Sequence, residues 1–135
     1  MILLDTHVLL WLVEGHDRLG RQTKRRIESE AGDIHLSAMS FWEIAMLIDK
    51  RRIALAMPLE AWMERLFATG GFKTVGIDPA IAADAGSLPD RIHGDPCDRM
   101  LIATARSMAC PILTGDGAIL DYAALGHVAA IDAGR

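Results

Sequence analysis

Cysteine is scarce in this chain: Cys97 and Cys110 are the two among 135 residues. Their wide separation excludes a CxxC pair for zinc or dithiol chemistry, and both read as reduced structural thiols. Aromatic residues make up only 5%, so the core must be aliphatic, a composition suited to helices packed on a sheet. Long hydrophobic runs are missing too. The longest near the start, "VLLWLV", has six residues, whereas a bilayer span needs roughly 20. "MILLD" lacks the basic lead and long apolar stretch of a signal peptide, so a cytoplasmic chain with no membrane role is expected. There is no Pro/Gly/Ser-rich linker, internal repeat or low-complexity segment, so one domain spanning 1–135 is expected. No GxGxxG follows the first apolar run, which argues against dinucleotide binding. Positive charge is also short: 14 Lys and Arg against 18 Asp and Glu give a net charge of −4. That argues against simple non-specific nucleic-acid binding, which draws on excess positive charge. It leaves open an enzyme that holds phosphates through metal ions.

Apolar residues are plentiful. Hydrophobic residues form 51% of the chain and mean hydropathy is +0.22, enough for a real core at this length. The apolar runs predict five strands, in "MILLD", "DIHLSA", "FKTVGI", "PILTGD" and "HVAAI". Helices are predicted between them. "THVLLWLVEG" has Thr6 as a cap and Gly15 as a stop. "RLGRQTKRRIESEAG" is polar and ends at Gly32; "SFWEIAMLIDKRR" is apolar with Ser40 as a cap. "PLEAWMERLFATGG" carries Leu59, Trp62, Met63, Leu66 and Phe67 at helical spacing. "DPAIAADAGSLP" and "DPCDRMLIATARSMAC" complete the set. Strands alternating with helices imply βαβ units, hence an α/β fold with a central, mainly parallel five-stranded sheet and helices on both faces. Short, non-alternating apolar strands fit a sheet buried on both sides.

In such sheets, sites form outside the carboxyl ends of the strands. Most acids, such as Glu28, Glu30, Glu60 and Glu64, lie in polar stretches and need only solvent. Four do not. Asp5 ends the first strand, Asp116 follows the fourth, Glu43 sits between Trp42 and Ile44 early in an apolar helix, and Asp98 opens another. Each has a plain alternative: Asp5 as a cap, Asp98 as a partner of helix N–H groups, Asp116 in a "TGDG" turn. Glu43 has the weakest one. All four would meet at the same sheet edge, where they repel one another unless positive charge lies among them. Arg99 is the nearest basic candidate, and a divalent cation is the simpler solution. Carboxylates without His or Cys in the motifs favour Mg²⁺ or Mn²⁺ over zinc.

"LLDTHVLLW", "SAMSFWEIA", "DPCDRMLIATA" and "LTGD" together resemble the PIN domain, and specifically the toxin ribonucleases of bacterial VapBC-type toxin–antitoxin pairs. The order and spacing agree along nearly the whole chain. The resemblance implies an acidic quartet at Asp5, Glu43, Asp98 and Asp116, catalytic and metal-holding, with one or two Mg²⁺ or Mn²⁺ ions. It further implies an RNA substrate, a homodimer, and a VapB-like antitoxin whose tail covers the active site. Thr6 and Thr114 also match the pattern and stand as supporting residues beside the acids, with helix capping the alternative for Thr6. Asp95 matches as well, but "DP" commonly opens a helix. The chain departs from the family at Cys97, where an aromatic is frequent, and at Arg51 and Arg52, where "GK" is frequent.

On this basis the expected activity is hydrolysis of RNA phosphodiester bonds by metal-activated water. Asp5, Glu43 and Asp98 would hold the first ion. Asp116 would orient water or help hold a second. No histidine among His7, His16, His35, His93 and His127 receives a role, since singly placed histidines are more often structural. Arg91 and Arg99 are expected near the cleft, where they could steer phosphate. Arg18, Arg21 and Arg25 are expected to share a helical face, either solvated or in contact with RNA backbone. "VLLWLV" and "FWEIAMLI", apolar nearly all round, suggest a partner surface beyond core burial. The competing readings are a metal-dependent DNA nuclease and a catalytically silent module that binds a partner or RNA. A phosphatase using Asp5 would want a second Asp where His7 stands.

Overall fold

A computed structural model describes residues 1–135. Five parallel strands form one sheet in the order β3-β2-β1-β4-β5. They are β1 (Ile2–Leu4), β2 (Ile34–Ser37), β3 (Phe72–Val75), β4 (Ile112–Thr114) and β5 (Ala130–Asp132). Seven helices connect and cover them: α1 (Thr6–Glu14), α2 (Arg21–Ser29), α3 (Ala38–Asp49), α4 (Leu59–Ala68), α5 (Pro79–Gly86), α6 (Pro96–Met108) and α7 (Gly117–Ala124). No helix is long and apolar enough to cross a membrane.

Strand residues point alternately to opposite faces, and β1 feeds two cores. Ile2 and Leu4 join Val8, Leu9, Ile27, Ile44, Trp62 and Leu66 on the face covered by α1 to α4. Leu3 joins Leu101, Ile102, Ile119 and Tyr122 on the face covered by α6 and α7. The edge strands are less enclosed: β3 alternates partly buried and exposed residues, and β5 is only partly buried. Burial along the whole strand therefore belongs to β1, β2 and β4 alone.

Several local expectations change. α7 was not foreseen. Its segment "GAILDYAA" is bracketed by glycines and carries few helix-long apolar repeats, yet Ile119 and Tyr122 bury one face of it. The cap of α3 is Ser37, whose hydroxyl accepts from the Met39 amide, not Ser40, which lies buried within the helix. Thr6 is the first residue of α1, with Asp5 at its cap position. α2 starts only at Arg21 and ends at Ser29, so Arg18 does not share its face. Instead, the Arg18 guanidinium lies over the Trp11 ring, 5.9 Å from its centroid.

The strand order reverses between β1 and β4. From β1 the chain builds outward through β2 to β3, then returns to the other side through β4 and β5. At such a reversal the connections leave in opposite directions and a crevice opens at the carboxyl ends of the two strands. Asp5 follows β1 directly and Asp116 follows β4 by two residues.

Candidate active site

Asp5 is almost fully buried at the end of β1. Its carboxylate does not cap α1; Oδ2 accepts the Thr114 hydroxyl at 2.7 Å. The same hydroxyl oxygen accepts the backbone N–H of Asp116 at 3.0 Å. Thr114, fully buried in β4, therefore ties the two strand-end acids together. Burial holds the Asp5 carboxyl above its ordinary range, with the Thr114 bond opposing that rise.

Asp116 occupies the cap position of α7, where Oδ1 accepts from the amides of Ala118 (2.8 Å) and Ile119 (3.4 Å). Both of these bonds use Oδ1, which leaves the second oxygen out of the cap. The turn that carries Asp116 is fixed by close packing. A Cβ added at Gly115 would lie 2.6 Å from Cη2 of Trp11, so the indole sits directly on the glycine.

Asp95 caps α6, accepting from the Asp98 amide at 3.1 Å, and Pro96 follows at the first helical position. Asp98 is thereby freed from capping, and its carboxylate turns inward with only 8% exposure. Its carboxyl is pushed up to about 8: burial is the main cause, and the charges of Asp5, Asp95, Asp116 and Glu43 add to it. Those four acids and Asp98 thus share one electrostatic neighbourhood.

Glu43, inside α3, is only partly buried. Oε1 receives the thiol of Cys97 at 3.4 Å, and the same Sγ lies 3.8 Å from the Met39 carbonyl. Burial and the nearby Glu43 charge push the Cys97 thiol far up, which keeps it a protonated donor. One turn earlier on α3, the buried Ser40 hydroxyl accepts from the Thr6 hydroxyl at 3.0 Å. Thr6 and Ser40 together pin the start of α1, next to Asp5, against the helix that carries Glu43.

Two placements depart from expectation. The Arg99 guanidinium does not enter the acidic cluster. Its Nε donates to the Ala85 carbonyl at 2.8 Å and Nη1 to that of Ile92 at 3.4 Å, so it braces the α5–α6 connection. His93, which the sequence left without a role, lies at the site: Nε2 is 3.2 Å from Oδ2 of Asp98. His93, Asp98 and Asp116 each present a ligand-capable atom within 4.8 Å of the others. The sequence did hold a signal for it. His93 precedes the capping Asp95 by two residues, a spacing at which a side chain can accept the following amide.

A parallel α/β sheet with acids gathered at its β1–β4 reversal places the chain in a recognisable class. The PIN domain family matches residues 2–125, and the chain belongs to it. Within that family it stands with the VapC-type proteins. It is 37% identical over 115 residues to Ribonuclease VapC22 of Mycobacterium tuberculosis, covering 85% of this chain and 86% of that protein. Solved structures share the fold at lower identity. A toxin–antitoxin complex from Klebsiella pneumoniae matches 98% of this chain and 97% of its own, with TM-score 0.67 and 20% identity. VapBC2 from Rickettsia felis, bound to a DNA fragment from its promoter, gives TM-score 0.70 at 14% identity, over 97% of this chain and 98% of its own.

Proposed function

We propose that this chain is a metal-dependent endoribonuclease, the toxin of a type II toxin–antitoxin pair, hydrolysing RNA phosphodiester bonds at Asp5, Glu43, Asp98 and Asp116. One observation carries the reading. Acids from four separate segments share one neighbourhood, where Asp5 and Asp98 are buried and burial first, then the neighbouring acid charges, raise the Asp98 carboxyl. No structural need of the fold accounts for such a cost. The relative's name, a ribonuclease, supports the substrate class.

The donor set fits a hard divalent cation, Mg²⁺ or Mn²⁺. It is oxygen-rich and anionic, and the Arg99 guanidinium is engaged elsewhere. Asp5, Glu43 and Asp98 would hold one ion, and Asp116 would help hold a second or orient water. A divalent cation bound there supplies charge neutralisation for the phosphate and lowers the pKa of water.

The chain's own part is positioning. Thr114 fixes the rotamer of Asp5, and the Cys97 thiol fixes that of Glu43. Asp116 is locked by its cap bonds with one oxygen to spare. A carboxylate of this set takes the proton from the attacking water. Trp42 is 53% exposed and Phe67 40% exposed, with the Phe67 and Phe41 rings tilted against each other at a 5.6 Å centroid distance. These exposed apolar side chains, and a structural relative described as a toxin–antitoxin complex, support a VapB-like antitoxin as partner; a homodimer of this chain is proposed from the family resemblance alone. The reading sets the protein in the cytoplasm, where its RNA substrate would be.

The test is cleavage by purified, partner-free protein. Total RNA and DNA are incubated with Mg²⁺, with Mn²⁺ and with chelator, beside Asp5→Asn and Asp98→Asn. RNA cleavage that needs metal and disappears in both variants is expected. Cleavage that survives chelator or both substitutions rejects the mechanism. Cleavage of DNA instead favours the DNA nuclease, and inertness toward every nucleic acid favours the silent binding module.

A further inference from the structure

The α5–α6 connection carries His93 and is anchored along its length. The Tyr122 hydroxyl donates to the Pro89 carbonyl at 2.6 Å, and His127 pairs with Asp90. Arg99 holds the carbonyl of Ile92, the residue just before His93. The imidazole is therefore held at the acidic cluster by a braced loop, although His93 itself is exposed.

Its hydrogen bonds assign its tautomer. Nδ1 accepts the backbone N–H of Asp95 at 3.2 Å, so the neutral ring carries its proton on Nε2. That N–H faces Oδ2 of Asp98 at 3.2 Å. An imidazole protonated on Nε2 has no lone pair there for a metal ion. The short distances to Asp98 and Asp116 would suit a ligand, yet the Asp95 N–H on Nδ1 leaves Nε2 of the neutral ring as a donor.

We propose that His93 donates its Nε2–H to a non-bridging oxygen of the RNA phosphate. The inference rests on the ribonuclease reading above. Ionised Asp5, Glu43, Asp98 and Asp116 offer only acceptors, and the Arg99 guanidinium is directed at carbonyls. His93 supplies what the acids lack. Were Asp98 to hold a cation, its oxygens would no longer accept from His93, and the N–H would be free to turn to a phosphate oxygen of bound RNA. The role is that of a substrate-binding donor, distinct from the metal-holding quartet.

The test compares wild type with His93→Ala, His93→Phe and His93→Gln on a mixed-sequence single-stranded RNA in Mg²⁺. His93→Phe keeps a ring of similar size without the donor, and His93→Gln retains a donor. Thermal melts confirm folding, and whichever of the Ala and Phe variants folds carries the comparison. A hydrogen bond to a charged group is worth enough to change rates by roughly tenfold to a hundredfold. The expected result is a fall of that size in kcat/KM for Ala and Phe, partial recovery in Gln, and Mn²⁺ affinity without RNA unchanged within about twofold. Nitrogen NMR of the ring is expected to show Nε2 protonated with and without Mg²⁺. Undiminished cleavage by the Ala and Phe variants overturns the inference while leaving the ribonuclease reading intact. A large loss of Mn²⁺ affinity, or an Nε2 that loses its proton when Mg²⁺ is added, overturns it in favour of a ligand. Wild-type protein that cleaves no RNA refutes the ribonuclease reading itself, and this inference with it.

Discussion

Thr114 is where a single residue matters most for its size. Its hydroxyl donates to buried Asp5 and accepts from the Asp116 amide. Thr114→Val keeps the shape and removes both bonds. Asp5 then loses the partner that opposes its desolvation, and the Asp116 N–H is left without an acceptor. Leaving buried polar groups unpaired costs about 2 kcal/mol. Urea titration is expected to show that loss, and RNA cleavage should fall at least tenfold because both strand-end acids lose their orientation. Full activity with unchanged stability would show that the acids need no such support. At this scale the sequence was legible in proportion to how oddly a residue sat in its surroundings. Glu43 between Trp42 and Ile44, and acids at strand ends, announced themselves. Cys97 and Ser40 did not, because a thiol and a hydroxyl in apolar helices look like ordinary core residues until the partners, Glu43 and Thr6, are brought near by folding. Arg99 misled for the converse reason: its place beside Asp98 in the chain put its side chain on another face of α6, toward Ala85 and Ile92.

At the scale of elements, the β4–α7 turn shows how packing places chemistry. Gly115 lies against the Trp11 indole so closely that one added carbon would meet Cη2 at 2.6 Å. Gly115→Ala must move either the ring or the turn that carries Asp116. Overpacking of this kind costs typically 1–3 kcal/mol. The expected outcome is a lower unfolding midpoint together with reduced cleavage. Adding Trp11→Phe, which trims the ring, should recover part of both. If Gly115→Ala retains wild-type midpoint and rate, the contact does not position Asp116. The element order shows which patterns can be read from a chain. The β1, β2 and β4 strands, and α4 with its clean apolar spacing, were legible because burial dictates their composition. α7 was not, since eight residues between glycines offer barely two turns of periodicity and its helicity depends on burying Ile119 and Tyr122. The α3 start was misplaced by one turn because Ser37 and Ser40 are equally good caps by composition. Only the strand's end at Ser37 decides between them.

For the whole molecule, the decisive feature is that acids far apart in the chain feel one another's charge beside the reversal of strand order, and the fold bears that repulsion. Thus stability and site occupancy are linked. Asp98 holds its proton up to about 8 in the folded chain, whereas in the unfolded chain it ionises in the ordinary carboxylate range. Between those limits the folded state binds more protons than the unfolded one, so stability must fall as pH rises. Asp5, raised in the same direction by burial, adds to the slope. In chelator, the urea midpoint is therefore expected to decline steadily from about pH 5 to about pH 8. Asp98→Asn removes the ionising group and should flatten that decline, while raising the midpoint near pH 8. Saturating Mg²⁺ or Mn²⁺ binds only the folded arrangement and stabilises it by mass action, by about 2.7 kcal/mol at a hundredfold excess over Kd. The gain should be largest at the alkaline end, where the carboxylates no longer need to release protons to the cation, and should vanish in Asp5→Asn. A pH-independent midpoint in chelator would mean that the acids do not crowd one another, and the case for a cation at the β1–β4 reversal would lose its physical basis.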